Sequence, residues 1–176
     1  PVNGYKKTII VGITGASGAV YGQRLVDVLT ETGCDVHLIV TAMGRSILAD
    51  ELGVAQLTAE SLIGRQCENL NFHENDNLFN SLASGSFATD GMVICPCSSH
   101  SLASIAAGLA DTLLLRTAYV TIKQHRRLIL AHRETPLTGI DLENMQKITR
   151  VGGIICPASP AFYMKPKTIT DLADSL

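Results

Sequence analysis

The sequence predicts a single α/β domain built on a doubly wound parallel sheet, and three observations carry that prediction. Its strand-like runs are apolar and β-branched without alternation, as in Thr8-Ile9-Ile10-Val11-Gly12-Ile13, the pattern of strands buried on both faces. Stretches with helical spacing of apolar residues follow those runs in turn, as parallel neighbours require. And 176 residues, 46% hydrophobic and 17% charged, supply one core and leave little room for a second.

Each element follows from its residues. The first strand, Thr8 to Ile13, ends in Thr14-Gly15-Ala16-Ser17-Gly18. Ala19 to Thr30 then reads as a helix with Val20, Leu25, Val28 and Leu29 on its apolar face, closed by Gly33 as a left-handed cap. Val36 to Val40 is a second buried strand, and Thr41 to Leu52 a second helix. Asp90 to Cys95 is a third strand, followed by helices from Ser99 to Ala107 and from Thr112 to Gln124. Leu128 to Ala131 is a fourth strand, Asp141 to Arg150 a helix, and Gly153 to Cys156 a fifth strand. Between Val54 and Thr89 the chain is rich in Asn and reads mostly as a polar excursion, with room for a short helix and strand. Such excursions border the ligand crevice in open α/β sheets. The last residues, Asp171 to Leu176, begin a helical pattern, so the C-terminal helix is expected to be incomplete.

Charge narrows the function classes. Fourteen Lys and Arg against sixteen Asp and Glu give a net charge of −2, without the basic excess of a nucleic-acid binder. No apolar run approaches the ~18 residues of a membrane span. Five cysteines are an odd number for a disulfide framework, and Cys95 and Cys97 sit inside an apolar run, so reduced thiols are expected. No basic and apolar leader precedes the first strand, and the chain reads as cytoplasmic.

Four loops carry candidate chemistry. Glycines at a strand-to-helix turn let backbone approach an anion, and the first helical N–H groups point at it. In Gly12-Ile13-Thr14-Gly15-Ala16-Ser17-Gly18 the spacing is not G-x-G-x-x-G, and the second strand ends in Val40-Thr41 without the acidic residue that grips a ribose. A single phosphate or a mononucleotide such as FMN fits better than a dinucleotide; a tight turn without ligand is the alternative. Cys95-Pro96-Cys97-Ser98-Ser99-His100-Ser101 offers hydroxyls at a second helix start, where Ser98 or Ser99 also serves as a plain N-cap. Its Cys-x-Cys spacing is poor for zinc. Arg133-Glu134-Thr135-Pro136 follows the fourth strand, either as a surface ion pair or as a crevice edge. Pro157 to Tyr163 follows the fifth, where Phe162 and Tyr163 either cap an apolar pocket or pack in the core. Arg116 and Lys123 stand seven apart on an otherwise apolar helix and need partners, an anionic ligand among the candidates. Lys123 to Arg127 reads as a solvated turn, and Glu51 as a solvated helix end.

Taken together and in this order, Gly12 to Gly18, Ser84-Gly85-Ser86-Phe87, Met92 to Ser98, Arg133 to Pro136, Leu142-Glu143-Asn144-Met145 and Pro160 to Tyr163 resemble the UbiX flavin prenyltransferases of the homo-oligomeric flavin-containing Cys-decarboxylase-like superfamily. The resemblance implies a Rossmann-like, flavodoxin-like fold over residues 1–176, assembled into trimers and dodecamers with FMN at subunit interfaces. It implies transfer of a dimethylallyl group from dimethylallyl phosphate to reduced FMN, without a metal, and delivery of the prenylated FMN to a UbiD-type decarboxylase. Gly15, Ala16, Ser17, Thr41, Ser98, Ser99, His100, Ser101 and Arg133 would then hold FMN. Ser17 and Glu51 would lie near the flavin ring, with Glu51 relaying protons. Arg116, Lys123 and Tyr163 would bind the prenyl phosphate, Glu134 would take up its proton, and Ser84, Gly85 and Ser86 would cover the prenyl chain. Asp141 stands where relatives commonly carry His, and Gln124-His125 where many carry Glu-Arg. The competing expectations are an FMN-dependent cysteine-type decarboxylase, whose first-helix His base is missing here, and a non-catalytic flavin-binding subunit.

Overall fold

A computed structural model of the chain describes residues 6–176. Six parallel strands form one sheet in the order β3-β2-β1-β4-β5-β6. Strand β1 spans Thr8–Ile13, β2 Asp35–Val40, β3 Leu70–His73, β4 Gly91–Cys97, β5 Arg127–His132 and β6 Ile154–Pro157. The five strands expected from the buried runs are present, and the polar excursion supplies the sixth. In it β3 pairs with β2 from Val36↔Leu70 to Ile39↔His73 and forms the sheet edge. Only Leu70 of β3 is fully buried, so no long apolar run announced it.

Helices cover both faces, which is why no strand alternates. Val11 and Ile13 point towards α1 (Ala19–Glu31) and α2 (Ala42–Leu52), with Val26, Leu38, Leu48 and Leu62 of the short α3 (Ala59–Ile63) in the same cluster. Ile10, Ile39, Met92 and Ile94 point the other way, into a second cluster with Leu102 of α4 (Ser99–Ala106), Leu113 and Leu114 of α5 (Leu113–Lys123) and Ile148 of α6 (Gly139–Arg150). Burying each such side chain stabilises the fold by about 1.5–3 kcal/mol. The last helix, α7 (Ile169–Ala173), lies against α1, tied there by the ion pair of Arg24 with Asp174 at 2.7 Å.

Boundaries follow local chemistry. Gly33 adopts φ 83°, as the sequence predicts, and the Cys34 N–H donates to the Leu29 carbonyl to close α1. Cys95 and Cys97 are buried in β4 and all five cysteines are free. Among the described residues no helix is long and apolar enough to cross a membrane.

Candidate functional site

Strand order reverses between β1 and β4, and a cavity of about 450 Å³ opens above their carboxyl ends, walled by Gly15, Thr41, Asn75, Ser99, Leu114 and Glu134 among others. Three helices begin at its rim. Thr41 caps α2, its hydroxyl accepting from the Gly44 N–H at 3.0 Å; Ser98 caps α4 through the Ser101 N–H at 3.2 Å; Thr112 caps α5 through the Leu115 N–H at 3.4 Å. Each helix start favours an anion by roughly 0.3–1 kcal/mol, so their convergence makes the cavity receptive to negative charge. Leu114 and Leu115 supply the apolar side of the same space, as a ring-bearing anion requires.

Buried Thr14 locks two of these loops together. Its Oγ1 donates to the Pro96 carbonyl and accepts from the Ser98 N–H, both at 2.8 Å. The Thr41 N–H donates to the Ile13 carbonyl at 3.0 Å and the Arg133 N–H to the Cys97 carbonyl at 3.1 Å, so four loop starts are pinned to neighbouring strand ends. Gly15 is needed for this approach: a Cβ there would lie 2.5 Å from the Met43 Cβ.

One sequence expectation is corrected at this point. The first amides of α1 are not open to an external anion, because the chain supplies its own. The Glu51 carboxylate, reaching over from the end of α2, accepts from the Gly18 N–H at 2.9 Å and the Ala19 N–H at 2.8 Å. Gly18, at φ 99°, offers no side-chain cap, and Glu51 takes that role. Glu51 is therefore more than a solvated helix end. Burial pushes its carboxyl up, but hydrogen bonds from Ser17, Ala19 and Gly18 and the charge of Arg133 together hold it below the ordinary range, so it stays ionised at neutral pH. Ser17, Glu51 and Arg133 thus form one polar group beside the cleft.

Arg133 also tests whether a flavin phosphate or ring fits. Its Nε is buried and has no hydrogen-bond partner among the described residues, and a buried cationic N–H without an acceptor is costly unless a ligand provides one. With the unpaired Arg133 donor, the hydroxyls of Thr41, Ser98 and Ser101, and the apolar Leu114 wall, the donor set matches FMN.

Within one chain, the structure brings together Gly15, Thr41, Ser98, Ser99, His100, Ser101 and Glu134 on one cavity wall, with Ser17, Glu51 and Arg133 alongside. It does not bring Lys123 there. Helix α5 starts at the cleft and runs 11 residues, about 16 Å at 1.5 Å each, to the opposite sheet edge. Ser84, Gly85 and Ser86 lie at that same far edge: a Cβ on Gly85 would meet Gln124 Nε2 at 2.6 Å, and the Arg126 guanidinium donates to the Gly85 carbonyl at 2.9 Å and that of Phe87 at 2.7 Å. The basic turn is in part a clamp on this loop, and not wholly solvated. Arg116 Nε donates to the Ala83 carbonyl at 3.3 Å, so its partner within the chain is backbone. Phe162 and Tyr163 are 73% and 85% exposed, on a single 3-10 turn over Phe162–Met164; in one chain they neither pack in the core nor cap a pocket.

Sequence reasoning missed several wall residues. Asn75 accepts from the Leu113 N–H through its carbonyl at 2.8 Å and from the Leu114 N–H through its side chain at 3.0 Å, but nothing separates it from the other asparagines of the excursion. Thr112 could have been found as the hydroxyl preceding an apolar helix. A second cleft, about 380 Å³, lies over β4 and β5 between α1 and α7 and is lined by Leu25, Val28, Ile129 and Ala131; it carries no comparable set of hydroxyls.

Comparison with known proteins agrees with this geometry. The sequence model of the Flavoprotein family matches residues 2–175. The chain is 44% identical to the flavin prenyltransferase UbiX of Halalkalibacterium halodurans, over 97% of this chain and 84% of the relative. Among solved structures it is similar to AnUbiX in complex with FMN and dimethylallyl pyrophosphate, with TM-score 0.87 and 36% identity over 97% of this chain and 87% of the other. It is also similar to a dodecameric FMN-dependent UbiX-like decarboxylase from Escherichia coli O157:H7, with TM-score 0.85 and 37% identity over 94% and 88%. The parallel sheet, the crevice at its switch point and these similarities establish that the chain belongs to the Flavoprotein family and, within it, to the UbiX-type flavin prenyltransferases.

Proposed function

We propose that this protein transfers a dimethylallyl group from dimethylallyl phosphate to reduced FMN, and that residues 1–176 act as one flavin-binding domain. The observation that carries this reading is the convergence of three helix starts and the unpaired Arg133 Nε on one cavity beside the Ser17–Glu51 pair. Thr41, Ser98 and Ser101 hold the flavin phosphate with hydroxyls, and Ser99 and His100 with first-turn amides; Gly15, Ala16 and Arg133 complete the cradle. Reduced FMN, when bound, supplies the electron-rich N5 and C6 that accept the prenyl carbon atoms.

The chain's own residues then handle charge and protons. Breaking an allylic C–O bond leaves phosphate charge behind, and Arg116, Lys123 and Tyr163 are assigned to hold it. Each ~1.4 kcal/mol of stabilisation felt only in the transition state gives about a tenfold rate gain. Glu134 takes a proton at the cleft edge, and ionised Glu51 accepts and returns one near the ring. Because Lys123 and the Ser84–Ser86 loop stand at the far sheet edge, they serve a cleft on a neighbouring copy, which makes a homo-oligomer of trimers, up to a dodecamer, part of the proposal. The product is a cofactor, not an end metabolite, and we place its delivery to a UbiD-type decarboxylase in the cytoplasm. A cysteine-type decarboxylase is disfavoured because no His lies between Thr14 and Asp35.

The test is anaerobic incubation of the reduced FMN-loaded protein with dimethylallyl phosphate or, separately, the pyrophosphate, followed by mass analysis of the flavin. A flavin heavier by one five-carbon unit is expected. Unmodified FMN with both donors would leave a flavin-binding subunit as the better description.

A further inference from the structure

Behind the cleft wall formed by Ser99 lies a polar cluster with no part in the chemistry above. His132 ends β5 at 4% exposure, and Asp141 stands in the first turn of α6 at 6%. His132 Nε2 lies 3.1 Å from Ser99 Oγ. Asp141 forms a capping box with Thr138, accepting from the Thr138 hydroxyl at 2.6 Å and its N–H at 2.9 Å, and the Ser99 hydroxyl nearby helps to lower its pKa.

Hydrogen bonds from Ser99 and then Thr138 bring the Asp141 carboxyl down to about 2, so it is an acceptor only. With the Ser99 hydroxyl turned towards this carboxylate, its oxygen accepts from His132 Nε2–H, 3.1 Å away. This is not a nucleophilic triad, in which the carboxylate orients the histidine and the histidine accepts from the serine. Here the carboxylate is held by Thr138 instead. In that tautomer Nε2 keeps its hydrogen when Nδ1 is protonated, so His132 can gain a proton without losing its bond to Ser99.

What faces His132 decides whether it does. Burial pushes its pKa below the ordinary value, Asp141 and Glu134 pull it up, and Arg133 pushes it down. From β4 the neighbour is Cys97, paired in register with His132, whose thiol burial keeps neutral; from α4 it is Ser99; from β6 it is Pro157, in register with it, and just beyond, the Ala158 N–H donates to the His132 carbonyl at 2.8 Å. Without ligand, the opposing influences leave the imidazole neutral at pH 7. An anion in the cleft satisfies Arg133 and adds negative charge across Ser99, and both changes favour the imidazolium.

We propose that His132 is a positioning residue that takes up a proton when the anionic flavin occupies the cleft, holding the first turn of α4 against the bound phosphate and offsetting the charge of Asp141 behind it. This rests on the FMN reading above. By linkage, each unit by which binding raises the His132 pKa makes the affinity about tenfold tighter below both values than above them.

The experiment follows the His132 ring by NMR through a pH titration of the protein, without ligand and saturated with FMN, and measures the FMN dissociation constant from pH 8 to pH 5.5 in wild type and His132→Gln. Glutamine keeps an N–H donor for Ser99 but cannot titrate. A His132 pKa raised by at least half a unit on binding, with the Gln variant losing the corresponding tightening at low pH, is expected. The variant also corrects for the FMN phosphate, which itself titrates near pH 6. An unchanged His132 pKa, or parallel pH curves for the two proteins, overturns the proposal while leaving prenyl transfer intact. Failure of the wild type to bind FMN would instead overturn the functional reading. If His132→Gln does not fold, the NMR comparison in wild type decides alone.

Discussion

Two glutamates at the cleft show how placement assigns different work to the same side chain. Glu51, though exposed, accepts from the Gly18 and Ala19 N–H groups and is held in place. Glu134 is exposed on the cavity wall, where, among the described residues, its Oε1 accepts from the Thr135 N–H alone, at 3.1 Å. A fixed carboxylate suits structural capping and a repeated proton relay; a loosely held one suits a single transfer at the reacting phosphate. Replacing Glu134 by Gln keeps size and polarity but removes the base. FMN affinity is therefore expected to stay within about twofold, while prenyl transfer in single turnover slows by about 10²–10⁴, the usual weight of one acid–base group. Unchanged turnover would remove Glu134 from the mechanism. The sequence indicated Arg133 and Glu134 through their place after a parallel strand, but it undervalued Glu51. Nothing local shows that a residue at the end of α2 reaches the start of α1; that contact exists only because α1 and α2 pack side by side.

Elements carry two further expectations. Helix α1 approaches the sheet at Gly22, where a Cβ would stand 2.4 Å from the Cys95 carbonyl oxygen and 3.0 Å from Ile13 Cδ1. Gly22→Ala gains up to about 1 kcal/mol of helix propensity, yet overpacking against backbone costs about 1–3 kcal/mol and wins. A lower urea midpoint is expected, together with weaker FMN binding, because α1 carries Gly18 and Ala19 with it. The β2–β3 pair gives a pH dependence. The Leu82 N–H donates to Asn80 Oδ1, so the Asn80 amide nitrogen faces His73 Nδ1 at 2.8 Å; His73 Nε2–H then donates to His37 Nδ1, also at 2.8 Å. His37 Nε2 is left without a hydrogen-bond partner among the described residues, but the other three ring nitrogens are used, and an extra proton on either ring puts donor against donor. Both imidazoles are pushed below their ordinary pKa, by burial first, with Asp35 partly opposing this for His37 and the charge of His37 adding to it for His73. The unfolded chain thus binds protons at higher pH than the folded one, and stability is full above about pH 6.5 and declines as the pH falls below it. Denaturation midpoints from pH 7.5 to pH 5 measure this, and His73→Gln is expected to flatten the slope. Strand β3 itself was hard to read because an edge strand held by Asn and His side chains lacks the apolar run that revealed the other five.

At the scale of the molecule, the order of strands and helices was legible because burial on both sheet faces leaves a plain trace in composition, and the cleft was legible because parallel strands bring their loops to one edge. What one sequence read as one chain does not show is which edge a helix end reaches. Arg116 and Lys123 look like partners on a helical face, but α5 spans from the cleft to the far edge, and Lys123 shares that edge with the Ser84–Ser86 loop. If the site is completed between copies, Lys123 acts on a cleft whose Glu134 belongs to another subunit. Lys123→Ala and Glu134→Gln homo-oligomers should then each be nearly inactive, for different reasons. Dissociating and co-assembling them in equal amounts creates some interfaces in which a wild-type Lys123 faces a wild-type Glu134, and random mixing makes these about a quarter of all sites. Activity should therefore return to roughly 25% of wild type on mixing, a figure fixed by counting pairs with one intact contribution from each copy. A mixture as inactive as its parents, once co-assembly is verified by native mass measurement, would place Lys123 and Glu134 in the same chain's site and require α5 to present its far end to its own cleft, against the path the fold gives it.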